Sequence, residues 1–388
     1  MDAVTRLLSD LVAIPSVNPM GRSLQGAGVL EAGMTDYLER WFHALGVPHE
    51  RTTLAPGRDN IVARYDAPSP RRTVLFDAHQ DTVPTDGMTI PPFVPERIGG
   101  RLYGRGSCDV KGGMAAMLIA FARLARERPP GSASVLMACT VDEEFTHIGS
   151  TYLAAHDTGA DVAIVAEPTK LDLVNHHKGA VRWKVRTRGV ACHSSMPHLG
   201  VNAIYRMAAL IDALASHAGA LAQSSPHAVL GPPSLSVGRI EGGQSVNVVP
   251  DWCEVEVDRR IVPGEVPTEC LTRVRNALIR ELGPEAAEWF EFLPPWVNMP
   301  SLAPGESGTE EWVALVRSAV AEATGRAPEL IGVPFGTDAG PLNAAGLPCL
   351  VFGPGDIAQA HTKDEWIELD QVRAAADAYY RIACALGE

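Results

Sequence analysis

The sequence predicts an α/β protein, a mostly parallel sheet built from two chain segments with a smaller α+β domain inserted between them. Three observations carry this. Short apolar runs alternate with helix-period segments over residues 29–170, and the alternation resumes from about 308 to the end. Two of the runs, 134–141 and 161–166, are almost wholly apolar, as strands buried on both faces are. After about residue 176 the texture changes. Val181-Arg-Trp-Lys-Val-Arg-Thr-Arg188 alternates with period 2, the mark of a half-exposed antiparallel strand. The division expected is 1–176 and 298–388 for the larger domain, with 177–297 inserted. A chain of 388 residues is long enough for two cores.

The elements follow in order. An amphipathic helix is expected over the first 14 residues and another over 29–45. Strands are expected at 60–65 and 73–77, a helix entered through glycines at 111–128, and strands at 134–141 and 161–166. In the insert, strand 181–188 is followed by helix 201–217, strands 235–240 and 246–257, helix 268–282 and a strand at 289–293. That order is the split βαβ, ferredoxin-like unit. Helix 201–217 carries Ile204, Met207, Ala208 and Ile211 at a spacing that makes one apolar face, suited to a partner chain or to its own sheet.

Composition excludes several classes. Hydrophobic residues make up 46% and charged residues 20%, an ordinary globular balance. Acidic residues outnumber basic ones and the net charge is −13, which does not favour a nucleic-acid surface. No apolar run approaches the ~18–20 residues that span a membrane. The first residues lack the basic start and unbroken apolar stretch of a signal peptide. The seven cysteines are odd in number, scattered and without a C-x-x-C pair. The expectation is a cytoplasmic protein with reduced cysteines and no thiolate metal site.

Five places carry candidate chemistry. Asp77-Ala-His79-Gln-Asp81-Thr-Val-Pro84 follows a buried strand, where open α/β sheets place ligands. Asp81 sits where its carboxylate can take the second ring proton of His79 and orient the imidazole towards a metal. Gly104-Arg-Gly-Ser-Cys-Asp109-Val-Lys-Gly-Gly113 puts a carboxylate among glycines before a helix, without the spacing of a phosphate loop. Asp142-Glu-Glu144 follows a buried strand. Its crowded carboxylates need positive charge, and adjacent residues of extended chain point opposite ways, so Glu143 and Glu144 can have different tasks. Glu167 and His361 each follow a further strand. His79, Asp109, Glu144, Glu167 and His361 can therefore converge on one sheet edge. Two imidazoles and three carboxylates suit zinc, with cobalt or manganese as alternatives. Three carboxylates balance two divalent ions and one bridging hydroxide, a known hydrolytic arrangement.

These motifs resemble the co-catalytic zinc hydrolases that include acetylornithine deacetylase, succinyl-diaminopimelate desuccinylase, aminoacylase and carboxypeptidase G. His79 to Pro84 matches that family's H-x-D-T-V-P, and Gly104 to Gly113 its G-R-G-x-x-D-x-K-G-G. Asp142 to Glu144 and Glu167 to Thr169 match its D-E-E and E-P-T. In the insert, Cys192 to Ile204, Gly242 to Asp251 and Asp258-Arg-Arg260 match its further motifs. Ala78 and Cys192 depart from the usual glycine and alanine before His79 and His193. The resemblance implies that His79 and Glu167 hold one zinc, that Glu144 and His361 hold the other, and that Asp109 bridges. It makes Glu143 the general base, Asp81 the orienter of His79, and His193 an oxyanion donor reaching the site of a partner subunit. Asn247 and Arg260 lie on the insert where the family binds substrate. Gly336 and Thr337 precede a helix whose free N–H groups suit a substrate carboxylate. His147, His176, His177, His198 and His227 read as structural or surface residues.

The function expected is hydrolysis of an N-acyl amino acid amide by a homodimer, with the insert as lid and dimerisation domain. The segment Gly353 to Glu365 leans towards the acetylornithine deacetylase side. The alternatives are a dipeptidase or carboxypeptidase with the same centre, or a succinyl-diaminopimelate desuccinylase. A non-catalytic homologue would have no need of Glu143, and a phosphate-handling enzyme is disfavoured by the acidic surface.

Overall fold

The computed structural model describes residues 1–26, 28–305 and 309–387. The apolar runs become the middle of an eight-stranded sheet. Ser134–Thr140, Thr73–His79, Val162–Val165 and Cys349–Val351 lie side by side and parallel. Every residue of Ser134–Thr140, Val162–Val165 and Cys349–Val351 is buried, which is why these runs lack polar alternation. Antiparallel strands flank this parallel centre. Arg58–Tyr65 pairs with Ser134–Thr140, and His49–Ala55 lies beyond it. On the other side Leu173–His177 runs antiparallel to Cys349–Val351, with Leu330–Val333 outermost. Because the central strands are parallel, the loops after His79, Thr140, Val165 and Val351 leave from one edge, the edge where such sheets hold ligands.

The helix Lys111–Glu127 packs against Ala3–Val12 and Leu369–Ala385, which also meets Thr309–Thr324. Leu8, Leu11, Phe42, Phe76, Phe121 and Tyr379 are fully buried in this core. The expected helix 29–45 begins only at Ala32, because Leu30 takes left-handed backbone and Val29 bridges to Val17. The restart expected near 308 lies outside the described residues; the helix Thr309–Thr324 follows it.

By internal contacts, one unit comprises Met1–Asn175, Ala303–Gly332 and Thr337–Glu388, and the other His176–Leu302 with Val333–Gly336. In this second unit an antiparallel sheet runs in the order Ser234–Gly242, Trp252–Ile261, Gly179–Arg188, Phe290–Phe292, with Val297–Met299 also on Gly179–Arg188. Alternate residues of Gly179–Arg188 and Trp252–Ile261 are buried, and the helices Ala203–Ala222 and Pro267–Leu282 pack with them. The run 246–257 is not one strand. Val248–Val249 pairs with Cys192–His193, Pro250 and Asp251 break the ladder, and Trp252–Ile261 follows.

The apolar face expected on the 201–217 helix also divides. Ala203, Met207, Leu210 and Leu214 recur at helical spacing and are buried in the unit's own core. Ile204 and Ala208 lie on the exposed side, beside Tyr205.

Candidate active site

His79 is the last residue of Thr73–His79, and its ring is buried. Its Nδ1 lies 3.0 Å from the backbone oxygen of Asp81 and 3.5 Å from Asp81 Oδ1. Both neighbours are acceptors, so Nδ1 carries a proton and Nε2 is left for a ligand. Nε2 faces Asp109 Oδ1 at 3.0 Å. The Asp81 carboxylate has a second task. Its Oδ1 accepts the backbone N–H of Glu143 and its Oδ2 that of Glu144, each at 3.1 Å. Asp142, in left-handed backbone with φ 65°, turns the chain into this position after Ser134–Thr140.

Beyond that turn Glu143 and Glu144 diverge. Glu144 Oε1 and Oε2 each lie 3.2 Å from His361 Nε2. Glu143 Oε1 lies 3.8 Å from His147 Nδ1.

Asp109 is held by the glycine loop before Lys111–Glu127. Gly106 has φ 81°, and a Cβ there would meet Thr82 Cγ2 at 2.6 Å, so the loop closes only on glycine. The loop is fastened by Glu365, whose buried carboxylate accepts the backbone N–H groups of Gly106 (3.0 Å), Cys108 (2.9 Å) and Asp109 (3.1 Å). Arg105 Nη1 completes the set at 2.7 Å. Glu365→Ala is expected to cost about 3–5 kcal/mol, because it strands a buried guanidinium and three amides. A lower urea midpoint for the metal-free protein checks this, and an unchanged midpoint contradicts it.

The five candidate ligands form two groups that share Asp109. His79, Asp109 and Glu167 make one, and Asp109, Glu144 and His361 the other; in each, the ligand atoms lie within 4.8 Å of one another. Asp109 turns Oδ1 to His79 and Oδ2 to His361, at 3.0 and 3.3 Å, so its two oxygens serve different groups. A carboxylate placed this way can bridge two cations.

The electrostatics ask for cations. Burial pushes the carboxyls of Glu143 and Glu167 well above the usual range, and neighbouring carboxylates add to it. Burial also raises Glu144, with Asp109 contributing. Partial burial opposes a charge on the half-exposed His361, yet its bonds to Asp109 and Glu144 carry it up to about 11. Against the same penalty, Asp109 and Asp81 raise His79. The carboxylates thus draw protons onto both imidazoles, the nearest cations the chain itself can supply. Nitrogen and oxygen donors without a thiolate, most of them buried and His361 exposed, fit a pair of divalent ions such as zinc.

A third convergence lies next to these. Glu143, His147 and Asp338 also bring their ligand atoms within 4.8 Å. Asp338 accepts from Ser150 Oγ at 2.5 Å and Thr140 Oγ1 at 2.9 Å, with His147 Nδ1 at 3.3 Å. Sequence reasoning set His147 aside and singled out Gly336 and Thr337 rather than Asp338. Asn18 and the anchoring role of Glu365 were missed too. Asn18, Asp338 and Glu365 carry no local signal, since each acts through contacts far along the chain, while His147 stands four residues after Glu143.

The remaining predicted residues behave as follows. His193 and Asn247 lie in the second unit and are exposed. Their segments adjoin: His193 pairs with Val248, and Ser194 N donates to Asn247 O at 3.0 Å. His193 Nδ1 is 2.7 Å from Ser195 Oγ. Arg260 turns Nε and Nη2 onto Asp258, at 2.9 and 3.2 Å. Gly336 belongs to the second unit and has no room for a side chain beside Met299. Thr337 is fully buried, and its hydroxyl accepts from Ala339 N.

The model of Peptidase family M20/M25/M40 matches residues 75–385. The chain belongs to this family. Its M20 character makes it a metal-dependent hydrolase of amide or peptide bonds. It is 31% identical over 355 residues to an acetylornithine deacetylase of Myxococcus xanthus, covering 88% of this chain and 89% of that one. Among solved structures it resembles the M20 family metallo-carboxypeptidase Sso-CP2 from Sulfolobus solfataricus, with a TM-score of 0.82, 19% identity and full coverage of both chains. It also resembles a dinuclear metal binding peptidase of the M20 family from Bacillus subtilis, with a TM-score of 0.66 and 15% identity over 98% of this chain and 96% of that one. No described helix of this M20 chain is long and apolar enough to cross a membrane, and all seven cysteines are free.

Proposed function

We propose that this M20 chain is a two-zinc deacylase that hydrolyses the amide of an N-acyl amino acid, in the manner of acetylornithine deacetylase. The observation that carries the reading is the pair of ligand groups sharing Asp109, with Glu143 beside them and in neither. His79 and Glu167 would hold one ion, Glu144 and His361 the other, and Asp109 both. Ions held there supply Lewis acidity towards the amide carbonyl and acidify water. Glu143 takes the proton of the attacking water and returns it to the leaving amine. Asp81 keeps Nδ1 of His79 protonated and fixes the backbone of Glu143. His193 donates to the developing oxyanion from a partner subunit. Asn247 contributes to substrate binding, and Gly336 does so by its backbone, next to the buried Thr337. Arg260 does so through the N–H groups that Asp258 leaves free.

A homodimer is part of the proposal. The exposed apolar residues Ile204, Tyr205, Val246 and Val248 of the second unit support it, since Val246 is 99% exposed in a single chain. Free cysteines support a reducing compartment, the cytoplasm.

The test of substrate class is amine release from a panel of N-acetyl amino acids, N-succinyl amino acids and dipeptides. Preference for N-acetyl substrates is expected. Preference for dipeptides or for succinyl substrates would replace the deacetylase reading by one of its two alternatives. Metal analysis is expected to give two divalent ions per fully active chain, and chelation to abolish turnover. A fully active preparation with at most one ion per chain removes the two-metal mechanism.

A further inference from the structure

Asn18 lies on the irregular segment after the first helix and is fully buried. Its backbone N–H donates to Thr82 O at 2.9 Å, which holds it beside the His79–Asp81 segment. Its side-chain amide makes four hydrogen bonds. Nδ2 donates to Asp81 Oδ2 and to Asp142 Oδ1, each at 2.8 Å. Oδ1 accepts from Met20 N at 2.9 Å and from Arg58 Nη2 at 3.2 Å. The amide orientation is fixed by its partners, because carboxylates can only accept and a guanidinium can only donate.

The surroundings explain why this residue is neutral and a donor. Asp81, Asp142 and Glu31 are buried around it, with Arg58 as their cation, 2.5 Å from Glu31 Oε1 and 2.9 Å from Asp142 Oδ1. A carboxylate at position 18 would add a charge and remove both donors. An aliphatic residue would leave Asp81 Oδ2 with only the Glu144 N–H. A buried carboxylate short of donors shifts to find others.

We infer that Asn18 is a positioning residue of the metal centre. It fixes the Asp81 carboxylate, and Asp81 in turn fixes the imidazole of His79 and the backbone of Glu143 and Glu144. One side-chain amide thereby sets a ligand in each metal group and the general base. The inference rests on the two-metal reading above. Partners that orient ligands in this way change metal affinity by about 10–100-fold when removed.

The test compares the full-length parent with Asn18→Asp and Asn18→Ala, each loaded with Co²⁺. Asn18→Asp keeps the shape and loses the donors; Asn18→Ala loses the donors without adding charge and carries the test if Asn18→Asp fails to fold. Both are expected to bind cobalt about 10–100-fold more weakly against a competing chelator. At saturating cobalt, the visible d–d absorption should change and kcat should fall with KM little altered. A merely structural role would lower the unfolding temperature and leave the saturated spectrum and kcat at parental values. That outcome overturns the inference. If the parent itself binds fewer than two ions per chain, the two-metal reading fails first, whatever the variants do.

Discussion

Glu143→Gln is expected to keep its metal and lose its turnover, with kcat lower by at least ~10²-fold, the scale of a lost general base. Glu144→Gln is expected to do the reverse and lose metal. The two residues are neighbours with their amides on the same carboxylate, Asp81. Their side chains nonetheless separate, Glu144 to Asp109 and His361, Glu143 to His147 and Asp338. The Gln substitution is isosteric and leaves the backbone amide in place, so the Asp81 clamp survives in both variants. Metal content by elemental analysis and kcat on the best substrate of the panel separate the roles. If Glu143→Gln lost metal while Glu144→Gln kept it and lost turnover, the assignment of the pair would be reversed.

The five candidate ligand positions were legible as a set because each motif follows a strand of the parallel centre or the glycine loop. Strands buried on both faces announce themselves as apolar runs, and parallel neighbours must end on the same edge. His79, Glu144, Glu167 and His361 thus share an edge before any contact is known. Asp109 came from the glycine density, whose need is visible at Gly106. The edges of the sheet were not legible. His49–Ala55 is a polar run with little apolar alternation, and its partner Arg58–Tyr65 determines it. The contacts behind the candidate ligands were equally hidden. Asn18 meets Asp81 and Asp142 across 63 and 124 residues, and Glu365 reaches back to Cys108 across 257. Such partners are chosen by the geometry of a buried carboxylate, and nothing beside them in the chain records it. Arg260 shows the converse. The motif resemblance gives it a substrate, while its nearest carboxylate is two residues away, on Asp258.

Mixing His193→Ala with Glu143→Ala is expected to restore activity that neither variant has alone. His193 is exposed on the second unit and its ring is tied, among the described residues, to Ser195. The resemblance makes it act on the centre of a partner chain. The exposed Ile204, Tyr205, Val246 and Val248 give that partner an apolar surface to meet. When subunits exchange at random, about half of the dimers carry one of each variant. In such a dimer one site joins the intact Glu143 of one chain to the intact His193 of the other, and its second site carries both defects. Activity should therefore recover to about a quarter of the parental value under twofold symmetry. If His193 acts within its own chain, every site in every dimer lacks one group and nothing returns. Exchange is verified by a mass tag on one variant. A mixture that has exchanged and stays inactive rules out a site shared between subunits, and it leaves the metal groups and Glu143 untouched, because neither depends on where the oxyanion donor comes from.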